Sequence, residues 1–278
     1  MREEGGPGLG IGVHDMSDPT RELLADARPH SHFVQLHDAA DDTALLTNIG
    51  SYLAEGLVRG EGGIVIATEA HRAGLPAAVA KAGFAPEAAL RDGRLVLLDA
   101  HEMLDRLLVD GQPNPQRFTD VVGSLIGELS ARTGRRGIRA YGEMVGVLWT
   151  AERYAAAIRL EELWNTLLAD GGFKLFCAYP IDVFGEGFRP DDVDALLAKH
   201  THLLPAGNAA LQRAVDRAMD EVLGQRAHGV RELSGRHGRP AWPALPSAEA
   251  TILWLRANLP VYADEIVARA RRYYRAAA

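Results

Sequence analysis

The run Ile64-Val65-Ile66-Ala67 is the sequence feature that most narrows the fold. It follows the glycine-rich turn at residues 60–63 and contains no polar residue. A strand with one face in water would alternate apolar and polar residues, whereas an unbroken run is typical of a strand covered on both faces. Strands of that kind occur in sheets that carry helices on both sides. The run therefore predicts an α/β fold.

The same alternation of strand and helix repeats along the chain. Further strands are predicted at Phe33–Leu36, Arg94–Leu98, Gly137–Tyr141 and Lys174–Tyr179. Helices are predicted between them, from Asp41-Asp42-Thr43 onward, near His71–Ala82, at Glu102–Leu108, at Pro115–Thr133 and at Ala151–Leu168. Successive strand–helix–strand units form parallel sheets through right-handed crossovers. We therefore predict an α/β fold with a mainly parallel sheet and flanking helices.

The chain divides into three parts on its composition. Residues 1–29 are predicted to be a flexible leader, with one short helix at Arg21–Asp26, and residues 30–188 form the α/β domain. The strands are expected to stop at about residue 188, so residues 190–278 form a helical appendage. Its helices are predicted at Asp191–Lys199, Pro205–Leu223 and from Ser247 to about Arg275 with an interruption at Pro260, and residues 224–246 are predicted to be a linker.

Charge and cysteine content restrict the binding partners and the cellular compartment that fit this protein. The formal net charge is −7, which argues against a general nucleic-acid binder. Cys177 is the single cysteine, so no intrachain disulfide can form, and a reducing cytoplasm fits. No apolar run is long enough for a transmembrane helix, and the first residues lack the order of a signal peptide. We expect a cytoplasmic protein without a membrane partner.

Polar side chains follow each predicted strand, where parallel sheets bind ligands. The candidate ligand-binding residues are Glu143, Asp99, Glu69, His71, Arg72, His32, His37, Tyr141 and Tyr179. Glu143 is the best single candidate, because it directly follows a buried strand and precedes apolar residues. A carboxylate there is expected to be partly desolvated and paired with Arg139 or Arg72. Glu69 and Asp99 are equally well explained as caps of the helices that follow them.

Several catalytic and cofactor classes lack their motifs. The chain has no phosphate-binding loop of the G-x-x-x-x-G-K-[ST] type and no G-x-S-x-G elbow. The pairs His30/His32 and His200/His202 each place two histidines on one side of an extended segment, yet no H-E-x-x-H or C-x-x-C pattern accompanies them. Cys177 is predicted to be an inert buried thiol. We expect no cofactor, no bound metal and no catalysis.

Several stretches resemble the MEDS family, the methanogen/methylotroph DcmR sensory domain. They are His32–Leu36, Glu55–Glu61, Glu69–Arg72, Gly93–Ala100, Arg117-Phe118, Arg139–Val145 with Leu148-Trp149, Leu160–Asn165 and Phe176–Pro180. The resemblance covers about residues 30–185. It implies a RecA/KaiC-like core that lacks the phosphate-binding loop, and a sensory module of bacterial and archaeal signalling and transcription regulation that binds small organic compounds. The family supplies no catalytic residues to carry over.

Three hypotheses follow. The leading one is a sensory domain that binds a small organic ligand at the rim of the sheet and signals through the C-terminal helices to a protein partner or a second copy. The second is an interaction scaffold derived from a degenerate ATPase fold. The third is a metal-dependent enzyme that uses His37, His71, Asp99, His101 and Glu143. Contact of the arginines at 269–275 with DNA is a weaker reading than ordinary solvation of a helix end.

Overall fold

Six parallel strands form the central sheet. The computed structural model describes residues 19–38, 42–204, 209–236 and 247–277. The strands are β1 (His32–Leu36), β2 (Gly62–Ala67), β3 (Leu95–Asp99), β6 (Ile138–Gly142), β7 (Lys174–Tyr179) and β8 (His202–Leu204), and a separate short hairpin consists of β4 (Leu108–Val109) and β5 (Gln112–Pro113). The order across the sheet is β3-β2-β6-β7-β1-β8, and all its pairings are parallel. The predicted α/β fold with a parallel sheet is confirmed.

The edge strand β8 corrects the prediction that strands stop at residue 188. Phe33 of β1 pairs with His202, and Gln35 pairs with Leu204. A strand of three residues is too short to show an alternating or continuous apolar pattern, so its position depends on β1 rather than on its own sequence. The prediction failed because strand formation here is decided by tertiary pairing.

Helices cover both sides of this sheet. The first group is α1 (Pro19–Ala25), α2 (Thr43–Val58), α3 (Glu69–Lys81) and α4 (Glu87–Arg91), and the second is α5 (Ala100–Leu107), α6 (Pro115–Phe118), α7 (Ser124–Arg132), α8 (Met144–Thr150) and α9 (Tyr154–Gly171). A π-helical turn at Thr119–Gly123 joins α6 to α7. The helix α8 was not predicted, because its seven residues directly follow β6 and precede α9 with only a short break.

Alternation along the strands produces two apolar layers. Phe33, Val65 and Phe176 point to the side of α2 and α3, whereas Val34, Ile64 and Cys177 point to the side of α5, α7 and α9. Successive side chains of a strand face opposite sides of a sheet. Each continuous apolar strand therefore contributes to both layers, as the run at residues 64–67 predicts.

The C-terminal helices belong to the second apolar layer. They are α10 (Pro190–Leu197), α11 (Ala209–Leu223), α12 (Ala227–Arg236), α13 (Ser247–Asn258) and α14 (Pro260–Ala277). Val215, Ile252 and Ile266 are fully buried in the same core as β1 and β7. The core is thus continuous from the sheet into these helices. In the described part of the chain, no helix is both long and apolar enough to cross a membrane.

The predicted linker at 224–246 is wrong over its first half. Residues 224–226 form a 3₁₀ turn, and α12 follows it. Ala227 is buried, and the Arg231 guanidinium binds Asp216 of α11 at 3.0 Å. Composition rich in glycine, histidine and arginine is typical of a linker, but tertiary contacts with α11, including ion pairs from Arg231 to Asp216 and to Asp220, hold this segment as a packed helix. Residues 237–246 lie outside the described residues.

The predicted leader contains a packed helix. The short helix expected at Arg21–Asp26 is present as α1, and its Leu24 is fully buried. The carbonyl oxygens of Leu24 and Ala25 accept hydrogen bonds from the Arg139 guanidinium at 2.7 and 3.3 Å. Residues 1–18 lie outside the described residues.

Arg139 is the centre of a buried ion cluster at the amino end of the sheet. Its Nε lies 3.0 Å from Glu61 Oε2, and Lys174 Nζ lies 2.8 Å from Glu61 Oε1. The guanidinium also donates to the carbonyl of Tyr52 at 3.1 Å. Gly56 is required beside it, because a Cβ there would lie 2.7 Å from Arg139 Cδ. Paired charges and backbone carbonyls together make burial of this arginine tolerable.

The Glu61→Gln variant should lose about 3 kcal/mol of unfolding free energy, because it leaves two buried cations without a counter-charge. The measurement is urea denaturation at pH 7. The matched control is Glu55→Gln, which removes only an exposed pair with Arg59 at 3.5 Å and should cost about 0.5 kcal/mol or less. Equal losses in the two variants would contradict this account.

Candidate functional site

A cavity of about 650 Å³ lies at the carboxyl edge of the sheet. It lies at the boundary between the neighbouring strands β2 and β6. From β2 the chain continues to β3 at one edge of the sheet, whereas from β6 it continues to β7 in the opposite direction. Such a change of direction is where parallel α/β sheets bind ligands. Its apolar lining includes Ala70, Leu104, Leu108, Val147, Leu148, Ala178 and Pro180, and its polar lining includes His37, Asp42, Thr68, His71, His101, Asp105, Glu143 and Arg153.

Glu143 lies at the base of this cavity and is almost fully buried. Its backbone amide donates to the Ile66 carbonyl at 2.9 Å, which extends the β2–β6 ladder by one bond beyond the strand. Its Oε1 accepts from the Tyr141 hydroxyl at 2.6 Å and lies 2.5 Å from His71 Nδ1. Its Oε2 accepts from the Thr68 backbone amide at 2.8 Å. The carboxylate is therefore held by groups from β6, α3 and the turn after β2.

His71 bridges two carboxylates. Its Nδ1 faces Glu143, and its Nε2 lies 2.8 Å from Asp42 Oδ2. Ionised carboxylates only accept hydrogen bonds, so both ring nitrogens of His71 donate and the ring is an imidazolium. The Glu143 hydrogen bond, opposed by burial and supported by Asp42, raises the pKa of His71 to about 9. Burial alone would raise the pKa of Glu143, but hydrogen bonds from His71, Tyr141 and Thr68 outweigh it and the pKa is lowered.

His37 completes the polar end of the cavity. Its Nδ1 lies 3.1 Å from Asp42 Oδ1, but neither atom completes a hydrogen bond of good geometry within the described structure. Burial lowers the pKa of His37, which favours the neutral ring. With His71 charged, Asp42 and Glu143 leave this end of the cavity with a net negative charge.

The candidate residues fall into four groups in the structure. His37, His71 and Glu143 line the cavity, and Tyr141 supports Glu143 from below. Asp99 instead caps α5 by accepting from the amides of His101 and Glu102 at 2.9 and 3.1 Å, and it pairs with Arg72 at 3.3 Å. Glu69 is exposed in the first turn of α3. His32 and Tyr179 lie on the opposite face of the sheet, against α9.

The predicted partners of Glu143 were wrong. Arg139 binds Glu61 at the amino end of β6, and Arg72 binds Asp99. Arg139 precedes Glu143 by four residues along an extended strand, which separates them by roughly 13 Å at about 3.3 Å per residue. The same alternation places Arg139, Tyr141 and Glu143 on one side of the strand, so Tyr141 reaches the carboxylate and Arg139 does not.

Sequence reasoning missed Asp42 as a site residue. Its position before α2 suggested a helix cap, but its side chain caps nothing and points to His71 and His37. No local signal distinguishes the two roles, because the decisive partner comes from α3, beyond the next strand. The apolar wall from α5 and α8 was also missed, since Leu104 and Val147 look like ordinary core positions in the sequence.

A second polar cluster lies on the opposite face of the sheet. It consists of His32, Glu161, Cys177 and His200, all buried, with Tyr179 donating to Glu161 Oε1 at 2.7 Å. One ligand atom from each of the four lies within 4.8 Å of the others. Burial and the Glu161 carboxylate raise the pKa of the Cys177 thiol well above its ordinary value, so it is no nucleophile.

The fold is a parallel α/β domain. Its cavity lies at the carboxyl ends of β2 and β6, where the connections of neighbouring strands run in opposite directions, which is the usual position of a ligand site in such sheets. The chain belongs to the MEDS family: the model described as the MEthanogen/methylotroph, DcmR Sensory domain matches residues 31–201, which confirms the resemblance predicted from the sequence. No curated protein and no solved structure matches the chain. Membership in the family suggests a sensory or regulatory role. Kinship with the RecA/KaiC class stays a prediction.

Titration of His71 should make stability fall as pH rises from neutral. Its pKa is about 9 in the fold against an ordinary 6.5, so its contribution is complete below pH 6.5 and is lost as pH rises through 9. We expect the difference in unfolding free energy between the native chain and His71→Gln to shrink by roughly 3 kcal/mol between pH 6 and pH 9.5. Urea denaturation at several pH values measures it.

The control for this prediction is His228→Gln, which changes an exposed histidine on α12. It should follow the native pH dependence. A stability difference between native and His71→Gln that stays constant over this pH range would show that His71 does not titrate as the geometry requires.

Proposed function

We propose that this domain is a sensor that binds a small organic molecule in the cavity at the carboxyl edge of the sheet. The observation that carries the proposal is that the cavity combines an apolar wall from α5 and α8 with a buried charged cluster around His71 and Glu143. The cavity also lies where the connections of neighbouring strands run in opposite directions. A volume of about 650 Å³ is within the range of small-molecule sites, which are mostly apolar with a few fixed polar groups. The family membership supports a sensory role.

The polar end of the cavity favours a ligand that donates a hydrogen bond. Glu143 is occupied by its three partners, whereas the Asp42 side chain, which lines the cavity, is 30% exposed. Asp42 Oδ1 itself is buried, so a ligand would meet the rest of this carboxylate. The net negative charge around His71 attracts a hydroxyl or an ammonium group and disfavours a carboxylate. The opposite wall, with Leu104, Leu108 and Val147, suits a hydrocarbon body. The proposed ligand is therefore a small alcohol or amine.

The arrangement of protons supports binding without catalysis. A general base needs a free lone pair near its substrate. Both nitrogens of His71 are already donors, and the lowered pKa of Glu143 makes it a weak base. The Cys177 thiol is not part of the cavity lining, and burial raises its pKa well above the ordinary value, so it is protonated. His37 is neutral, because burial lowers its pKa, but its Nδ1 is a buried atom that a substrate would not reach. We therefore include the absence of turnover in the proposal.

The segment after β7 supplies a route from the cavity to the C-terminal helices. Pro180 lines the cavity, and two residues later Asp182 binds Arg271 of α14 at 2.6 Å. Arg256 of α13 donates to the carbonyls of Phe184, at 3.2 Å, and Phe188. A ligand that displaces Pro180 would shift the population of positions that α13 and α14 adopt, and a partner protein or a second copy would recognise the change.

The setting of the signal is part of the same proposal. The single, buried thiol Cys177 suits a reducing cytoplasm, where disulfides are rare. We place the sensor there, in the regulation of transcription, with its output passing through the C-terminal helices and not through nucleic-acid contact of its own.

A thermal-shift screen with short alcohols, diols and alkylamines tests the binding proposal. A ligand at 100 times its Kd should add about 2.7 kcal/mol to stability. Val147→Trp fills the apolar part of the cavity and should abolish the shift, whereas Glu69→Gln changes an exposed carboxylate outside the lining and should keep it. Carboxylates of the same size should give a smaller shift than the alcohols.

Two results would overturn the proposal. One is a native chain that none of these compounds stabilises. The other is a Val147→Trp variant that responds as the native chain does, which would place the ligand elsewhere. Conversion of a stabilising compound, followed by mass spectrometry, would reject the non-catalytic part and favour the enzyme hypothesis.

The route to the C-terminal helices has its own test, by hydrogen exchange with the compound that stabilises most. Saturation should change exchange in residues 181–188 and in α14. Arg271→Ala removes the contact with Asp182 and should leave the thermal shift intact while abolishing the change in α14. An unchanged response in that variant would rule out this route.

A further inference from the structure

We propose that His32, Glu161, Cys177 and His200 form a buried metal site, with zinc as the ion that the donor set favours. The site lies on the face of the sheet opposite Tyr141 and Glu143, none of its four residues lines the cavity, and it does not depend on the function proposed there. All four side chains are buried, three of them with 1% or less of their surface exposed. Two imidazoles, a thiol and a carboxylate are the ligand types that zinc takes from proteins.

Four distances between the donor groups are close to those around a tetrahedral ion, and all four residues offer a ligand atom within 4.8 Å of the others. Ligands about 2.1 Å from a tetrahedral zinc lie about 3.4 Å from one another. His32 Nε2 lies 3.4 Å from Cys177 Sγ and 3.4 Å from Glu161 Oε2. Glu161 also lies 3.8 Å from Cys177 Sγ through Oε2 and 3.2 Å from His200 Nε2 through Oε1. The set therefore needs little movement to enclose one ion.

Hydrogen bonds orient both imidazoles toward this point. His200 Nδ1 lies 2.8 Å from the Leu196 carbonyl oxygen, which can only accept, so Nδ1 carries the proton. Asn165 donates through its amide nitrogen to the Lys199 carbonyl at 2.9 Å, which leaves its oxygen to accept from His32 Nδ1 at 2.9 Å. Each neutral ring then presents a lone pair on Nε2. Metal-ligating histidines are held by such outer hydrogen bonds.

One buried atom lacks a partner without an ion. His200 Nε2 belongs to a fully buried side chain and completes no hydrogen bond of good geometry within the described structure, although Glu161 Oε1 lies 3.2 Å away. A lone pair that faces a carboxylate at this distance is unfavourable unless a positive charge lies between them. The alternative is a proton on His200 Nε2, with the Cys177 thiol hydrogen-bonded to His32 Nε2 at 3.4 Å or to Glu161 Oε2 at 3.8 Å, and metal analysis distinguishes the two.

The site suits a structural ion rather than a catalytic one. Four protein ligands fill a tetrahedral shell and leave no position for water or substrate. When the ion binds, Cys177 releases its thiol proton to solvent and coordinates as a thiolate, while the two imidazoles bind as neutral ligands. The ion would join β1, β7 and α9 to the turn before β8, which are separated by up to 168 residues.

The test is metal analysis of the full chain, purified without a histidine tag and refolded under reducing conditions with zinc or cobalt(II). We expect one ion per chain by elemental analysis. The cobalt form should show a thiolate-to-cobalt charge-transfer band, which reports sulfur ligation directly. Cys177→Ser should lose this band, and His200→Gln should bind at least tenfold less metal per chain than the native protein. Circular dichroism checks that both variants are folded.

The matched control is His202→Gln, two residues from His200 and outside the cluster, which should keep the ion and the band. The proposal is overturned if the native chain holds no more metal than His200→Gln, or if the cobalt band is absent or persists in Cys177→Ser. Since Val147→Trp leaves all four ligands in place, it should keep the ion while closing the cavity, which separates failure of this site from failure of the ligand site.

Discussion

The parallel pairing of β2 with β6 is the constraint on which the rest of the site depends. Their register sets Ile66 opposite Gly142, and the Glu143 amide then adds one further bond to the Ile66 carbonyl. The carboxyl ends of the two strands therefore meet, while the helices that follow them leave in different directions. The crevice between those helices cannot be closed by the backbone. Side chains line this crevice, and Glu143 is the residue of the lining that directly follows β6.

Charge is distributed along β6 at both ends of the strand. Arg139 meets Glu61 and Lys174 at the amino end, and Glu143 meets His71 at the carboxyl end, with Tyr141 between them on the same side. A buried charge is costly unless hydrogen-bonded partners surround it. Both clusters meet that requirement with backbone groups as well as ions. Each cluster also ties together elements far apart in sequence, so together they fix which helices can cover this face of the sheet.

The sequence was sufficient for the elements that carry their own pattern. The apolar run at residues 64–67 and its repeats identified five of the strands that the structure contains, and the polar residues after them included His71 and Glu143. What could not be predicted depends on tertiary partners. The strand β8 forms because it pairs with the edge of β1. Asp42, expected to cap a helix, instead pairs with His71, and Arg139 pairs with Glu61 rather than with Glu143. Local pattern has no information on such choices.

Neighbouring residues of β7 contribute to two different sites. Ala178 faces the cavity, whereas its neighbours Cys177 and Tyr179 face the cluster around Glu161. The cluster on the far side, whether closed by a metal or by a proton, holds β7 to α9 and to β1. Under the proposed function, displacement of Pro180 by a ligand would therefore reach the C-terminal helices through the segment that Arg256 and Arg271 attach to them.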